Sequence, residues 1–264
     1  MNEQEISTLD IYLVEPSHTQ ALIIKQHLRS CGIESVTDIS TGSELLAQLK
    51  HGRPDLIISS MYLPDMTGVD LVHAIRKDSE SYDMAYLLIS SETNIKYLEP
   101  IRQAGAIAIL PKPFTQGELE TALYATVEYL HPQKLYIQHF DIEDLQVLLV
   151  DDSEFSLKYI RKVLSNIGIE RVMTASNGKQ GLQLYREYYF DLIVTDYHMP
   201  EMDGVQMVQA MRKDFERAMV PIMMVTSEQN QNRLAAIEKA GVSAILDKPF
   251  EPGSVKRLIM QLLG

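Results

Sequence analysis

Short, nearly continuous apolar runs punctuate this 264-residue chain, and between them apolar residues recur every three or four positions. The runs at 147–150, 171–175, 192–195, 222–225 and 244–246 have the length and composition of strands buried on both faces. The stretches between them place Ile160, Val163, Leu164 and Ile167 on one helical stripe, and Val205, Val208, Met211 and Phe215 on another. Gly168 and Gly241 follow such stretches, where a left-handed helix cap is wanted. Strands alternating with amphipathic helices predict an α/β fold in which helices cover both faces of a parallel sheet.

The same pattern occurs earlier in the chain, with strands expected near 11–14, 35–39, 56–59, 86–89 and 107–110. The correspondence reaches individual residues at a constant offset of 136 positions: Glu15 and Pro16 align with Asp151 and Asp152, and Ser60 with Asp196. Ser90-Ser91-Glu92 aligns with Thr226-Ser227-Glu228, and Lys112-Pro113-Phe114 with Lys248-Pro249-Phe250. The chain is therefore two copies of one fold, expected at 1–130 and 146–264 with a linker at 131–145. Pro132 should interrupt any helix leaving the first copy. Leu135, Tyr136, Ile137 and Phe140 are too apolar for a solvated tether, so the linker is expected to pack on one domain or between the two.

Each copy is long enough to bury its own core without metal or disulfide. Cys31 is the one cysteine, which excludes an intramolecular disulfide, fits a reducing cytoplasm and reads as apolar filler near a helix end. The polar start Met1-Asn2-Glu3-Gln4-Glu5 lacks a signal-peptide pattern, and no apolar stretch approaches the roughly 20 residues that span a bilayer. A formal net charge of −12 argues against sequence-independent nucleic-acid binding. The expectation is a cytoplasmic protein that engages neither nucleic acid nor membrane. The charge is uneven. Residues 1–133 hold 9 Lys/Arg against 18 Asp/Glu, a net −9, and residues 134–264 hold 15 against 18, a net −3. That asymmetry either biases partner choice or marks a solvated surface.

The second copy ends two strands in carboxylates: Asp151 and Asp152 after the first, Asp196 after the third. In an open parallel sheet, the carboxyl ends of the strands form the ligand crevice. A strand order of 2-1-3-4-5 makes strands one and three neighbours and gathers these groups. Clustered carboxylates repel one another unless a cation joins them, and an oxygen-only donor set suits Mg²⁺. Carboxylates at strand ends also serve as helix caps, but Thr226 and Lys248 at further strand ends weigh against that reading. The acidic pair, the stretch from Asp196 to Gly204, Thr226-Ser227 and Lys248-Pro249-Phe250 resemble the receiver domain of two-component response regulators, over nearly the whole chain and twice. The resemblance implies two doubly wound, flavodoxin-like (βα)5 domains with parallel five-stranded sheets in the order 2-1-3-4-5.

By that resemblance, Asp196 accepts a phosphoryl group from a histidine kinase or histidine phosphotransfer protein. Asp152, Asp196 and the main-chain carbonyl of His198 ligate Mg²⁺, while Asp151 holds a metal-bound water. Thr226 and Lys248 contact the phosphoryl oxygens, and Lys248-Pro249 and Lys112-Pro113 are cis peptides. His198 and Glu228 either flank the phosphoryl group or are plain exposed loop residues. One departure is Ile245, with Ile109 in the first copy, where the family commonly places an aromatic switch residue three before the lysine.

The first copy has lost this chemistry. Ser60 is not ionised, Pro16 has no side-chain oxygen, and Glu15 alone binds Mg²⁺ poorly. Lys112 is left with a structural task, and Ser60 or Asp65 is a poor substitute acceptor. The copy reads as a pseudo-receiver that acts by contact, through dimerisation, recruitment of an output protein or restraint of its neighbour. His18 and His73 are expected on solvated helix surfaces, and the methionines, Met223-Met224 included, read as core filler. Two rivals stand beside an adaptor of this kind. One is the regulatory part of a larger enzyme such as a diguanylate cyclase, which an open reading frame continuing past Gly264 would favour. The other is a Mg²⁺-dependent phosphatase.

Overall fold

Among the described residues ten strands form, and every pairing between them is parallel. The computed structural model describes residues 3–132, 141–214, 218–228, 230–250 and 252–263. The chain divides into two units, Met1–Pro132 and Gln133–Gly264. In unit 1 the order is α1 (Glu3–Ile6), β1 (Ile11–Val14), α2 (His18–Ser30), β2 (Val36–Ile39), α3 (Gly42–Gln48) and β3 (Leu56–Ser60), followed by α4 (Gly68–Lys77), β4 (Ala85–Ser90), α5 (Ile95–Gln103), β5 (Ala108–Pro111) and α6 (Gln116–Leu130). Unit 2 begins with a 3-10 turn (Ile142–Asp144), then β6 (Gln146–Val150), α7 (Glu154–Asn166), β7 (Arg171–Ala175), α8 (Gly178–Glu187) and β8 (Leu192–Asp196). It continues with α9 (Gly204–Met211), β9 (Ile222–Thr226), α10 (Gln231–Lys239), β10 (Ala244–Asp247) and α11 (Pro252–Leu263).

The sheets run β2-β1-β3-β4-β5 and β7-β6-β8-β9-β10, the same order in each unit and the one expected. All residues of β3, β4, β8 and β9 are buried, because helices cover both faces of these central strands. In unit 2 the core on one face joins Leu148, Ile193 and Met224 to Val208 and Met211 of α9; Met223 and Met224 are both fully buried. Helix starts are capped by side chains, with full capping boxes at Thr67–Asp70, Thr115–Glu118 and Asp203–Gln206. Gly168 and Gly241 have φ of 103° and 91°, the left-handed caps expected. Both Lys-Pro bonds are cis.

An arginine pins each unit in a way the apolar pattern does not show. In α4 the buried Arg76 donates to the carbonyls of Tyr82 and Met84, both at 2.9 Å, Ala104 at 2.8 Å and Gly105 at 3.2 Å. Arg212 after α9 donates likewise to the carbonyls of Ala218, Val220 and Gly241, at 2.7, 2.9 and 2.9 Å. Each guanidinium ties the loop before one strand to the loop before the next.

His73 departs from expectation. It is half-buried on α4, and burial followed by the Lys77 charge lowers its pKa. His18 is exposed as expected. Of the linker, residues 133–140 lie outside the described residues, as does Phe215. Its last part packs on unit 2: Ile142 and Leu145 are buried, and Asp144 pairs with Arg171 at 2.6 Å. Among the described residues, no helix is long and apolar enough to cross a membrane.

Candidate functional site

Adjacent parallel strands put the chemistry of unit 2 at one sheet edge. Asp151 follows β6, Asp196 ends the neighbouring β8, Thr226 ends β9 beside it, and Lys248 follows β10. Gly204 opens α9 so close to this edge that an added Cβ would lie 2.2 Å from the Asp196 carbonyl oxygen, so only glycine fits there.

The centre is a buried ion cluster. The Lys248 ammonium lies 2.8 Å from Asp151 Oδ2 and 2.8 Å from Asp196 Oδ1. All three residues are at most 3% exposed. Asp151 Oδ1 accepts from the Ser153 N–H at 2.8 Å, and Asp196 Oδ2 from the His198 N–H at 2.9 Å. Burial raises the Asp196 pKa to about 6 with help from Asp151, against the pull of Lys248 and the His198 N–H. Burial would lower the Lys248 pKa, but the Asp196 and Asp151 charges outweigh it and raise it.

Around this centre the remaining residues form a rim. Asp152 is exposed, yet partial desolvation of its carboxyl and the nearby Asp151 charge raise its pKa. Thr226 is fully buried, and its hydroxyl accepts from the Glu228 N–H at 3.0 Å. The exposed His198 ring stands edge-on to Tyr197 and 3.5 Å from the Glu228 carboxylate, which Arg233 also holds at 2.7 Å. Ile245 is half-buried against the core that includes Met224. Sequence reasoning passed over Ser156, a buried residue of α7 whose hydroxyl donates to Asp151 Oδ2 at 2.5 Å. A serine three residues after the cap Ser153 reads as ordinary first-turn polarity, so its spacing gave no signal of this contact.

Unit 1 carries a different arrangement at the same edge. Lys112 pairs with Glu15 at 2.9 Å, and the Ser60 hydroxyl donates to the same carboxylate oxygen. Burial pushes the Glu15 pKa up, but the Ser60, Lys112 and Ser17 contacts outweigh it and leave it lowered. The lysine thus faces a carboxylate here too, a single one where unit 2 has two. Asp65 is held elsewhere: its oxygens accept from Gly42 N–H at 3.0 Å and Ser43 N–H at 2.8 Å, and Ser43 leads the contacts that lower its pKa to about 2. Tyr62 bonds Glu92 at 2.9 Å, spanning the two loops that His198 and Glu228 span in unit 2.

The response regulator receiver domain family matches residues 11–124 and again residues 147–260. The chain belongs to this family. It is a two-component response regulator with two receiver domains in tandem. Chemotaxis protein CheY1 of Helicobacter pylori is 33% identical over 121 residues, which is 46% of this chain and 98% of that protein. Chemotaxis protein CheY-3 of Vibrio cholerae is 28% identical over 114 residues, 43% of this chain and 88% of that protein. Among solved structures, the chemotaxis response regulator CheY4 of Vibrio cholerae is 30% identical over 45% of this chain and 98% of its own, with a TM-score of 0.43. A probable response regulator/GGDEF domain protein is 21% identical over 97% of this chain and 98% of its own, also at 0.43.

Receiver domains work with histidine kinases or phosphotransfer proteins and typically bind Mg²⁺. The donor set of the second receiver suits such a cation. Its ligands are all oxygen, and both Asp152 and Asp196 have raised pKa values that a nearby positive charge would relieve. Among the described residues no three His, Cys, Asp or Glu side chains are already assembled as a metal site. Mg²⁺ needs fewer, since two carboxylates together with waters can hold it.

Proposed function

We propose that the second receiver accepts a phosphoryl group on Asp196 from a histidine kinase or histidine phosphotransfer protein and signals by protein–protein contact. The first receiver is an unphosphorylated pseudo-receiver that serves as a contact module, in a cytoplasmic protein whose domains span 1–130 and 146–264 around a linker at 131–145. The observation that carries this reading is the Lys248 ammonium 2.8 Å from Asp196, where unit 1 has Ser60 at the aligned position.

In the transfer, a carboxylate oxygen of Asp196 attacks phosphorus. The bond to the donor imidazole nitrogen breaks and takes its electron pair to the leaving group. An acyl phosphate results, and the imidazole regains a proton. Lys248, already beside Asp196, faces the charge that arrives on the phosphoryl oxygens. The Thr226 hydroxyl accepts from the Glu228 N–H and keeps its own O–H to donate to a phosphoryl oxygen. Asp152, Asp196 and the His198 carbonyl would hold Mg²⁺, with Asp151 acting through water, and the ion would neutralise charge on the transferring group. Ser60 would have to be deprotonated to react, and its proton already serves Glu15.

The test is the intact mass of the whole chain after treatment with acetyl phosphate and Mg²⁺. One phosphoryl group is expected on the wild type and none on Asp196→Asn. An addition that survives Asp196→Asn would place the acceptor elsewhere.

A further inference from the structure

Position 156 separates the two receivers as clearly as position 196 does, because its counterpart is the half-exposed Gln20. Ser156 is 3% exposed, on the first turn of α7, and its N–H donates to the cap Ser153 Oγ at 3.2 Å. Its hydroxyl has two partners. It donates to Asp151 Oδ2 at 2.5 Å and accepts from Lys248 Nζ at 3.2 Å. The ammonium therefore meets oxygen acceptors on Asp151, Asp196 and Ser156. A lysine side chain is a point charge on a flexible stem, so its aim depends on such contacts.

We propose that Ser156 is a positioning residue for phosphoryl transfer, holding the Lys248 ammonium and the Asp151 carboxylate in fixed relation while Asp196 reacts. This rests on the proposed role of Asp196. When the Asp196 oxygen becomes part of an acyl phosphate, it loses the charge that attracted Lys248. Asp151 and Ser156 then supply the contacts that keep the ammonium at the site and free to face the phosphoryl oxygens.

The experiment compares wild type, Ser156→Ala and Ser156→Thr as full chains, reading initial rates of labelling by acetyl phosphate with Mg²⁺. In parallel, the Lys248 ammonium resonance is followed by NMR in lysine labelled with nitrogen-15. Ser156→Ala is expected to slow labelling about tenfold, the scale of one hydrogen bond to a charged group, and to shift the resonance. Ser156→Thr keeps the hydroxyl and is expected to restore both. A serine that only supports the fold would lower stability while leaving the resonance and the rate in place. Wild-type labelling of Ser156→Ala, or an unmoved resonance, overturns the proposal. If labelling of the wild type survives Asp196→Asn, the role of Asp196 fails and the transfer role of Ser156 falls with it. The resonance then still reports whether Ser156 holds Lys248.

Discussion

Asp196 and Ser60 end equivalent strands, but only the aspartate adds a carboxylate of its own beside the equivalent lysine; Ser60 and Lys112 instead share Glu15. The Asp196 pKa of about 6, raised from the ordinary 3.8 by burial, gives a pH dependence with a definite sign. The fold favours the protonated form, so folding stability from this group falls as pH rises from 3.8 to about 6. The nucleophile is the ionised form. At limiting Mg²⁺, labelling by acetyl phosphate should level off above about pH 7 and fall roughly fivefold between pH 6 and pH 5, as initial rates across pH 5 to 8 will show. A rate flat across this range would mean that the ionised fraction of Asp196 does not control the reaction. The placement of Asp151, Asp152, Asp196, Thr226 and Lys248 at strand ends was legible because polar and charged groups closing apolar runs have few structural reasons to be there. Ser156 was not, since a hydroxyl near a helix start has an ordinary structural reason, and only the fold brings Lys248 to it from 92 positions away.

The strands were legible for a related reason. Parallel strands covered on both faces need apolar residues at every position, which leaves a continuous signal such as Leu192 to Val194. Arg76 carried no such signal: a basic residue in the last turn of α4 reads as a complement to the helix dipole. Its guanidinium instead collects four carbonyls from two loops and fixes α4 against the entries to β4 and β5. Arg76→Ala would leave buried carbonyls without these donors, and is expected to destabilise unit 1 by about 3 kcal/mol. Urea unfolding of the whole chain checks this. A change within about 0.5 kcal/mol, ordinary for an exposed site, would show that the loops hold without it.

Across the whole molecule, the two units share a topology and differ in the charged groups at their sheet edges. A ligand that binds only the folded form stabilises it, by about 2.7 kcal/mol at a concentration a hundred times its Kd. Mg²⁺ is therefore expected to raise the unfolding temperature of unit 2 and leave unit 1 unchanged, an effect that EDTA reverses and Asp196→Asn weakens. Calorimetry of the full chain, with single-unit assignment by Arg76→Ala, checks this; a shift in unit 1 would contradict the poor metal binding expected of Glu15.

The Glu15–Ser60–Lys112 cluster has a consequence in terms of information. Two working receivers would give the chain four combinations of marked and unmarked domains. On the proposed chemistry the first is a constant, so the molecule stores a single binary digit. A partner bound to unit 1 meets a fixed address, and a partner reading unit 2 meets the message.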